Sequence, residues 1–401
     1  MALYVHIPFC LSVCPYCDFV VYAGRQARGP SSRVEAFVSA LLVEIRLRAD
    51  AARRAFGDLR PLASVYIGGG TPSLLSAQQI GAVLAATDTG FGLAAECEIT
   101  LEANPGPGER GDLRGFRAAG VNRLSIGAQG MDDAELRRLG RRHSSADVSE
   151  AVSQARAAGI DNLSVDLLYD QPGQTLASWR RTLKAVLEFE PDHVSSYALA
   201  LDDQGAGGAT ADHLPTRSGA LRWRERARGE QDEDRAAACY EIADEALACA
   251  GLYWYELSNW ARPDRQSRHN LTYWHWLSYE AVGPGAHSFD GALTRRWNAA
   301  RLDAYIGALL APEPALPPGG GELLAPLTAA AERAILALRT RAGLPARPGP
   351  LPALAPALDW GRSAGLLEPA ESGGLRLSTK GRLLGSEVFW RLLPDQLARA
   401  G

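Results

Sequence analysis

Three cysteines near the start of the chain constrain its fold more than any other feature. Cys10, Cys14 and Cys17, here called the cysteine trio, follow one another at C-x-x-x-C-x-x-C spacing. Thiolates are soft ligands that suit iron-sulfur clusters and zinc, and three on so short a loop converge on one centre. A [4Fe-4S] cluster usually takes four cysteines, so three would leave one iron open. An open iron is what such a cluster needs to act on a bound molecule.

A zinc site is the alternative for the cysteine trio, with His6 or Asp18 as the fourth ligand, because zinc prefers four tetrahedral ligands. Zinc ligands usually come as two separated pairs, and the sequence contains no second C-x-x-C. The spacing therefore favours an iron-sulfur cluster. The remaining thiols, Cys97, Cys239 and Cys249, are predicted to be buried and structural.

Composition excludes several kinds of partner and location. The 401 residues carry a formal net charge of -4 and are 46% hydrophobic. Such a chain can bury a sizeable core, but it has no basic field to bind nucleic acid. The first residues do not form a signal peptide, and no run approaches the roughly 20 apolar residues of a membrane span. We therefore expect a cytoplasmic protein with no membrane span, in which reducing conditions favour metal ligation over disulfides.

The first half of the chain predicts repeated βα units. Short apolar or β-branched runs alternate with helical stretches, which is the pattern of a parallel sheet. Six such units fall short of the eight that close a full barrel. The sequence therefore predicts an α/β fold built on a partial, open (β/α)6 barrel. Strands are expected at 3–7, 64–67, 98–102, 123–127, 163–168 and 193–199, and Ser32 and Ser76 are expected to cap the first two helices.

Two further units are expected after the barrel. Stretches rich in Gly and Pro at 202–217 and 312–321 interrupt the pattern of strands and helices. We expect a helical and aromatic extension between them and a small α+β domain, similar to a winged helix, at the C-terminus. The predicted domains are 1–220, 221–315 and 322–401.

A glycine-rich turn follows the second predicted strand. Gly69, Gly70 and Thr71 stand where the strand ends, and the carboxyl ends of parallel strands are where ligands bind. Glycines there let backbone groups approach a ligand without an intervening side chain. A tight strand-to-helix turn without a ligand is the simpler explanation. On the same rim as the cysteines, the turn is a candidate for binding the polar end of an amino acid.

Polar side chains recur at the ends of the next strands. Asp166 is well placed to accept hydrogen bonds from ribose hydroxyls. Glu102 can bind an ammonium group and Arg141 a carboxylate, each through a charge-assisted hydrogen bond. Together with Gln129 they make a candidate binding rim. The alternative is that these acids pair with neighbouring Arg side chains without function.

Four motifs occur in the order found in radical S-adenosylmethionine (SAM) proteins. They are Y-x-H-x-P-F-C-x-x-x-C-x-x-C at 4–17, G-G-G-T-P at 68–72, E-A-N-P at 102–105 and S-x-G-x-Q at 125–129. The chain resembles the branch that contains oxygen-independent coproporphyrinogen III oxidases and heme chaperones. The resemblance implies that the cysteine trio holds a [4Fe-4S] cluster and that SAM chelates the open iron. It also implies contacts with SAM or the cluster for Tyr4, Tyr16, Gly69, Gly70, Thr71, Glu102, Gln129, Arg141, Asp166 and Ala200.

Two features bear on the choice within this branch. The oxidases are similar in their cysteine trio but have one more cysteine two positions later, in the motif C-x-x-x-C-x-x-C-x-C. In this chain Phe19 stands at that position. The segment H-N-L-T-Y-W at 269–274 resembles the H-N-x-x-Y-W heme motif of the chaperones, which implies His269 as a heme ligand. An imidazole suits heme iron, and neighbouring aromatic rings could cover a porphyrin. An aromatic core cluster, with His269 bonded to a backbone carbonyl, is the alternative.

The leading hypothesis is therefore a heme chaperone that binds a [4Fe-4S] cluster and SAM, holds heme and transfers it to an apo-hemoprotein. The competing hypothesis is the oxidase that converts coproporphyrinogen III to protoporphyrinogen IX, and a zinc-stabilised scaffold is a third. Whether the protein is an enzyme stays open. A membrane-associated acceptor, a peripheral position at the membrane and a homodimer are further hypotheses. Nucleic acid is not an expected partner.

Overall fold

One twelve-stranded sheet organises the fold in a computed structural model that describes residues 1–201, 214, 218–346, 351–371 and 373–396. Two pairs of short strands lie outside this sheet. The strands are β1 Ala2–Ile7, β2 Phe9–Cys10, β3 Tyr22–Ala23, β4 Leu62–Gly69, β5 Leu93–Ala103, β6 Arg123–Gln129, β7 Asn162–Tyr169, β8 His193–Ala198, β9 Tyr253–Glu256, β10 Asn259–Ala261, β11 Tyr279–Val282, β12 His287–Phe289, β13 Thr294–Asn298, β14 Gly319–Leu323, β15 Leu367–Pro369 and β16 Leu375–Leu377.

Helices connect most of the parallel strands and cover one face of the sheet. They are α1 Val34–Phe56, α2 Ala77–Phe91, α3 Leu113–Ala119, α4 Asp133–Arg138, α5 Ser145–Ala157, α6 Leu176–Leu187, α7 Ser218–Arg228, α8 Glu233–Cys249, α9 Arg268–Trp274, α10 Leu302–Leu309, α11 Pro326–Leu338, α12 Ala355–Ser363, α13 Thr379–Leu383 and α14 Gly385–Leu392. Within the described ranges, no helix is both long and apolar enough to cross a bilayer.

The six predicted strands are confirmed as β1, β4, β5, β6, β7 and β8. They are parallel neighbours in that order. A seventh parallel strand, β11, pairs with β1 on the other side. Antiparallel strands extend both ends, so that the order runs β14-β13-β12-β11-β1-β4-β5-β6-β7-β8-β10-β9. The expected α/β architecture, an open arrangement of six βα units, is therefore present. The sheet contains more strands than the sequence predicts.

The two faces of the parallel strands differ because successive side chains point to opposite sides. Apolar residues such as Val5, Val65 and Leu101 face the helices and are fully buried in the main core. Alternate residues, among them Tyr66 and Glu102, are polar and lie on the opposite face, here called the inner face. A polar inner face cannot be filled by a hydrophobic core, so it is available for ligands and hydrogen-bond networks.

Helix α9 docks onto the inner face near the starts of the strands. Its N-cap is Ser267, whose hydroxyl accepts a hydrogen bond from the backbone N–H of Asn270. The carboxylate of Glu98 on β5 accepts the backbone N–H groups of Arg268 and His269, each at 3.2 Å. A carboxylate at a helix N-terminus satisfies free N–H groups and complements the helix dipole. This contact attaches α9 to the sheet.

A small α+β unit follows, as expected from the sequence. Helices α11, α12 and α14 and the antiparallel pair β15–β16 enclose a separate apolar core that includes Leu338, Leu358, Leu367 and Val388. Two short helices, α13 and α14, meet at Leu384. The predicted domain limits stay predictions. Strands β9 to β13, from the predicted extension, join the main sheet.

Three local predictions are wrong. Helix α1 begins at Val34 with Arg33 at the N-cap, so Ser32 is not the cap, whereas Ser76 caps α2 in a capping box with Gln79. The predicted linker 312–321 contains the start of β14, whose glycines let the backbone lie close to the carbonyl of Trp297. Cys249 is exposed, because it is the last residue of α8, while Cys97 and Cys239 are buried. The predicted loop 202–217 lies outside the described residues, except for position 214.

Candidate cofactor site

A cleft of about 170 Å³ opens beside the cysteine trio, at the carboxyl ends of the parallel strands. Most of the residues predicted for cluster and SAM binding line it. They are Cys10, Cys14, Cys17, Tyr16, Gly69, Gly70, Thr71, Glu102, Gln129, Arg141 and Asp166. Sequence reasoning missed Ser125 and Tyr197, which also line the cleft. Ser125 lies beside Glu102 on the neighbouring strand, and Tyr197 comes two residues after Ser195, which lies beside Asp166. The period of two along a strand therefore places both on the face of the predicted residues.

The thiols of the cysteine trio are free and partly buried. Burial raises the pKa of Cys10 to about 12 and that of Cys17 to about 11, so these thiols are neutral without a metal. Two side chains donate to the sulfurs: the Thr71 hydroxyl to Cys10 Sγ and the Arg141 guanidinium to Cys14 Sγ, each at 3.5 Å. Metal coordination deprotonates a thiol outright. Buried thiols with donors aimed at their sulfurs fit a metal-sulfur centre.

No three His, Cys, Asp or Glu side chains in the described part of the chain are arranged to hold a single metal ion. A [4Fe-4S] cluster differs from a single ion, because each of its cysteine ligands binds a different iron atom. The three sulfurs of such a site therefore need not meet at one point.

Arg224, a residue that sequence reasoning missed, supports the cysteine loop. Its guanidinium donates to the carbonyl of Pro15 at 2.9 Å and to that of Cys17 at 3.0 Å, and it also pairs with Asp18. The side chain is 4% exposed. A buried guanidinium that binds two carbonyls and a carboxylate holds the loop in one conformation. Nothing in the pattern of α7 distinguishes this Arg from the others on the helix.

The glycine-rich turn is packed directly against β1 and β2. A Cβ atom on Gly70 would lie 2.6 Å from the carbonyl oxygen of Phe9. Gly69 has φ = 112°, and a Cβ there would lie 2.5 Å from the ring of His6. Only glycine fits such close backbone contact. The turn therefore places Thr71 next to Cys10. It is a tight strand-to-helix turn, and it also positions a residue of the candidate site.

Two buried acids lie in the cleft. Glu102 accepts hydrogen bonds from the Tyr66 hydroxyl at 2.8 Å and from the Gly69 N–H at 3.0 Å. Burial raises the pKa of Glu102 to about 7, although both hydrogen bonds lower it. Asp166 accepts from the hydroxyls of Ser125 and Ser164, and burial raises its pKa too. Buried carboxylates with raised pKa values gain stability from a cationic or hydroxyl-bearing ligand.

Gln129 and Arg141 complete the rim. Arg141 donates to Asn104 Oδ1 at 2.6 Å and to the carbonyl of Gly127 at 2.9 Å. Gln129 has φ = 65°, which is rare for a residue other than glycine. Its side-chain oxygen is buried and has no hydrogen-bond partner among the described residues. An unpaired buried amide oxygen is costly, so this atom fits a site completed by a ligand with a donor group.

Three predicted residues do not line the cleft. Ala200 is exposed just after β8. Tyr4 lies further down the inner face, where its hydroxyl contacts His6 Nδ1 at 3.0 Å. His269 lies deeper still, on α9. Their assignments to adenine, cluster and heme stay predictions.

His269 is 1% exposed and has partners at both ring nitrogens. Nδ1 lies 3.1 Å from Ser64 Oγ, and Nε2 lies 2.7 Å from the Tyr273 hydroxyl. Burial lowers the pKa of His269 to about 3, so the ring is neutral. The ring also packs against Tyr66 and Tyr4, with centroid distances of 5.1 and 6.4 Å. The aromatic cluster considered from the sequence is present, with hydroxyl groups as the partners of the imidazole.

Comparisons with known proteins identify the family of this chain. A family model of the radical SAM superfamily matches residues 4–186. The chain is 36% identical to the heme chaperone HemW of Mycobacterium tuberculosis over 343 residues, which cover 86% of this chain and 82% of that protein. It is 33% identical to HemW of Escherichia coli over 287 residues, which cover 72% of this chain and 69% of that protein.

The fold also matches a solved structure. The coproporphyrinogen III oxidase HemN from Escherichia coli, described as a radical SAM enzyme, superposes with a TM-score of 0.78 at 25% identity, over 98% of this chain and 90% of that one. Fold, cleft and cysteine motif thus agree with the sequence relationship. The chain belongs to the radical SAM superfamily, in the branch of the HemW proteins.

Proposed function

We propose that this protein is a heme chaperone that binds a [4Fe-4S] cluster and SAM, holds heme and transfers it to an apo-hemoprotein. The observation that best supports this is 33 to 36% identity with several HemW proteins over most of the chain. The segment H-N-L-T-Y-W and Phe19 support the same choice.

The cleft offers a specific role to each side chain. The cysteine trio would hold the cluster, Glu102 would bind the amino group of SAM, and Asp166 would bind its ribose hydroxyls. The unpaired side-chain oxygen of Gln129 would accept a hydrogen bond from the ligand. When bound, the cluster and SAM supply one-electron chemistry, and the protein supplies position and exclusion of water. The remaining proposed contacts are Tyr4, Tyr16, Gly69, Gly70, Thr71, Arg141 and Ala200.

We propose the α9 region as the heme site, with His269 as the ligand to test first. Ligation at Nε2 would require the Tyr273 hydroxyl to move from its position at 2.7 Å. His275, at the C-cap of α9, is exposed and is the nearest alternative ligand. Hemin titrations of His269→Ala and His275→Ala, followed by the Soret band, separate the two. A Soret band and affinity unchanged in His269→Ala would remove that residue as ligand.

Porphyrinogen oxidation is the second candidate function, because the fold matches HemN with a TM-score of 0.78. The position after the cysteine trio argues for the chaperone. Phe19 is 66% exposed and lies at the edge of the cleft. Its side chain contains no sulfur, whereas the oxidase motif has a further cysteine at this position.

Two assays decide between these functions. Cluster-loaded protein is first saturated with hemin and mixed, under anaerobic reducing conditions, with membrane vesicles from a heme-deficient host. Transfer predicts that cytochrome difference bands appear as the protein's Soret band declines, faster than with hemin bound to serum albumin. Vesicles that take up heme no faster than from albumin would contradict the proposal. Turnover of coproporphyrinogen III by cluster-loaded protein with SAM and a reductant would show the oxidase instead.

The vesicle assay also addresses location and assembly. We propose a cytoplasmic protein that meets its acceptor at the membrane surface and assembles as a homodimer. Co-sedimentation with vesicles and light scattering at several protein concentrations test these two points. A protein that stays in the supernatant, and whose mass remains that of a monomer, would contradict both.

A further inference from the structure

We propose that His269 is a positioning residue of the SAM site, which acts through the ring of Tyr66 on the carboxylate of Glu102. The inference rests on the SAM site of the proposed function, and it does not require heme to bind. His269 is the first residue of the H-N-L-T-Y-W segment, and its two ring nitrogens contact Ser64 and Tyr273 in this structure. The inference gives His269 a role in this conformation.

The Glu102 carboxylate is held by two donors of different rigidity. The Gly69 N–H belongs to the backbone of the glycine-rich turn and is fixed by it. The Tyr66 hydroxyl stands at the end of a long side chain, so its position depends on what surrounds the ring. Moving the ring of Tyr66 would therefore change one half of the hydrogen bonding of Glu102.

The Tyr66 ring packs against two other rings, which also contact each other. The ring of Tyr4 is stacked against the ring of Tyr66, with a centroid distance of 6.2 Å and an interplanar angle of 27°. The imidazole of His269 packs at 5.1 Å and 34°. Buried rings in contact restrict each other's rotamers, because protein interiors are closely packed. Removal of the imidazole would leave a cavity beside Tyr66 into which that ring could relax.

His269 is itself held firmly in place. Ser64, two residues before Tyr66 on β4, contacts Nδ1, and Tyr273, one turn later on α9, contacts Nε2. The backbone N–H of His269 donates to Glu98 on β5. A ring fixed at both nitrogens and at its backbone can transmit position. Ser64, His269, Tyr66 and Glu102 thus form a continuous column from the docked helix α9 to the cleft.

The pH dependence of SAM binding gives a readout that a purely structural role would not change. Glu102 must be ionised to bind a cationic amino group, and the Tyr66 hydroxyl favours the ionised form. A displaced Tyr66 therefore raises the pKa of Glu102 and moves the onset of SAM binding to higher pH. Other ionisable groups act on this carboxylate from neighbouring elements, and they remain in the variants. They are Tyr4 on β1, Arg123 on β6, Asp166 on β7, Tyr197 on β8 and Tyr273 on α9.

The experiment is a double-mutant cycle on cluster-reconstituted full-length protein. SAM affinity is measured by the change in the cluster's electron paramagnetic resonance signal, over a range of pH, for the wild type, His269→Ala, Tyr66→Phe and the double variant. The matched control is Thr272→Val on the same helix, whose hydroxyl donates to the backbone carbonyl of Arg268. Melting temperature and iron content are recorded for each variant.

We expect each single variant to weaken SAM binding by about tenfold and to shift the onset of binding to higher pH, because the Glu102 carboxylate loses the Tyr66 hydroxyl as a fixed donor. The double variant should be within about threefold of either single variant, because both changes act on the same contact. Thr272→Val should bind SAM like the wild type.

Two results would overturn the inference alone. The first is a folded, cluster-loaded His269→Ala protein with wild-type SAM affinity and pH onset. The second is full additivity of His269→Ala with Tyr66→Phe. If His269→Ala does not fold, Ser64→Ala, which removes the partner of Nδ1, is judged by the same two criteria. Wild-type protein that takes up a cluster but never responds to SAM would refute the SAM site of the proposed function, and the inference with it.

Discussion

The replacement Gly70→Ala tests how the glycine-rich turn positions the cluster loop. The added Cβ would lie 2.6 Å from the Phe9 carbonyl oxygen and 3.0 Å from that of Ile7. Both are backbone atoms, so no side-chain rotation can relieve the contact. The turn and β1 must separate by roughly half an ångström or more, a form of overpacking that typically costs about 1–3 kcal/mol.

That separation acts on two backbone hydrogen bonds. The N–H of Gly70 donates to the Ile7 carbonyl at 2.8 Å, and the N–H of Thr71 donates to the Phe9 carbonyl at 2.7 Å. Stretching them adds to the loss, and it draws Thr71 away from the sulfur of Cys10. We therefore expect Gly70→Ala to lower the free energy of unfolding by about 2–4 kcal/mol and to reduce the iron bound per chain.

The matched control is Gly81→Ala, in the middle of α2. There the nearest atom to the new Cβ is the Cβ of Ala119 at 3.7 Å, an ordinary contact. Alanine in a helix interior should stabilise the protein by about 0.5–1 kcal/mol. Urea unfolding and iron analysis after anaerobic reconstitution measure both effects. A Gly70→Ala protein as stable as the wild type, with full iron content, would refute the steric argument.

Further predictions concern the other parts of the structure. Cys14→Ser should abolish the visible absorption of the reconstituted cluster, whereas Cys249→Ser, at an exposed thiol, should leave it unchanged; equal loss in both would contradict the assignment. Glu44→Ala removes the buried acceptor of four hydrogen bonds and should cost about 3–5 kcal/mol in urea unfolding. The exposed acid Asp303 should change stability by less than about 0.5 kcal/mol when replaced by alanine. Burial lowers the pKa of His6 to about 4, so its neutral form stabilises the fold above its unfolded pKa of about 6.5, and this contribution is lost as the pH falls. His6→Gln should therefore lose about 2 kcal/mol less stability than the wild type between about pH 7 and about pH 5, and equal losses would count against this cause.

The parallel strands and the binding rim were predictable from the sequence because their signals are local. Alternation of apolar and polar residues with a period of two identifies the strands, and parallel connection brings their carboxyl ends to one rim. For that reason Glu102, Gln129 and Asp166, which are distant in sequence, were expected at one site and do line one cleft.

Where the prediction failed, a local pattern had more than one structural outcome. The glycines of 319–321 predict a linker because glycine favours turns, but they pair with β13 where a side chain would collide with its backbone. Ser32 is a good capping residue by type, yet the chain turns into α1 one residue later. Cys249 belongs to an alanine-rich helix, yet it lies at the solvent-exposed end of α8.

The cysteine spacing, the order of the motifs and the strand pattern determined by themselves that this chain carries a three-cysteine loop on a partial α/β barrel. Only the tertiary structure decided what lies beneath the cleft. His269 and Ser64 are far apart in the chain and meet because α9 docks onto the inner face of the sheet. Arg224 reaches the cysteine loop in the same way, from a helix more than two hundred residues later. Such contacts depend on how distant elements pack together, and no local pattern of residues encodes them.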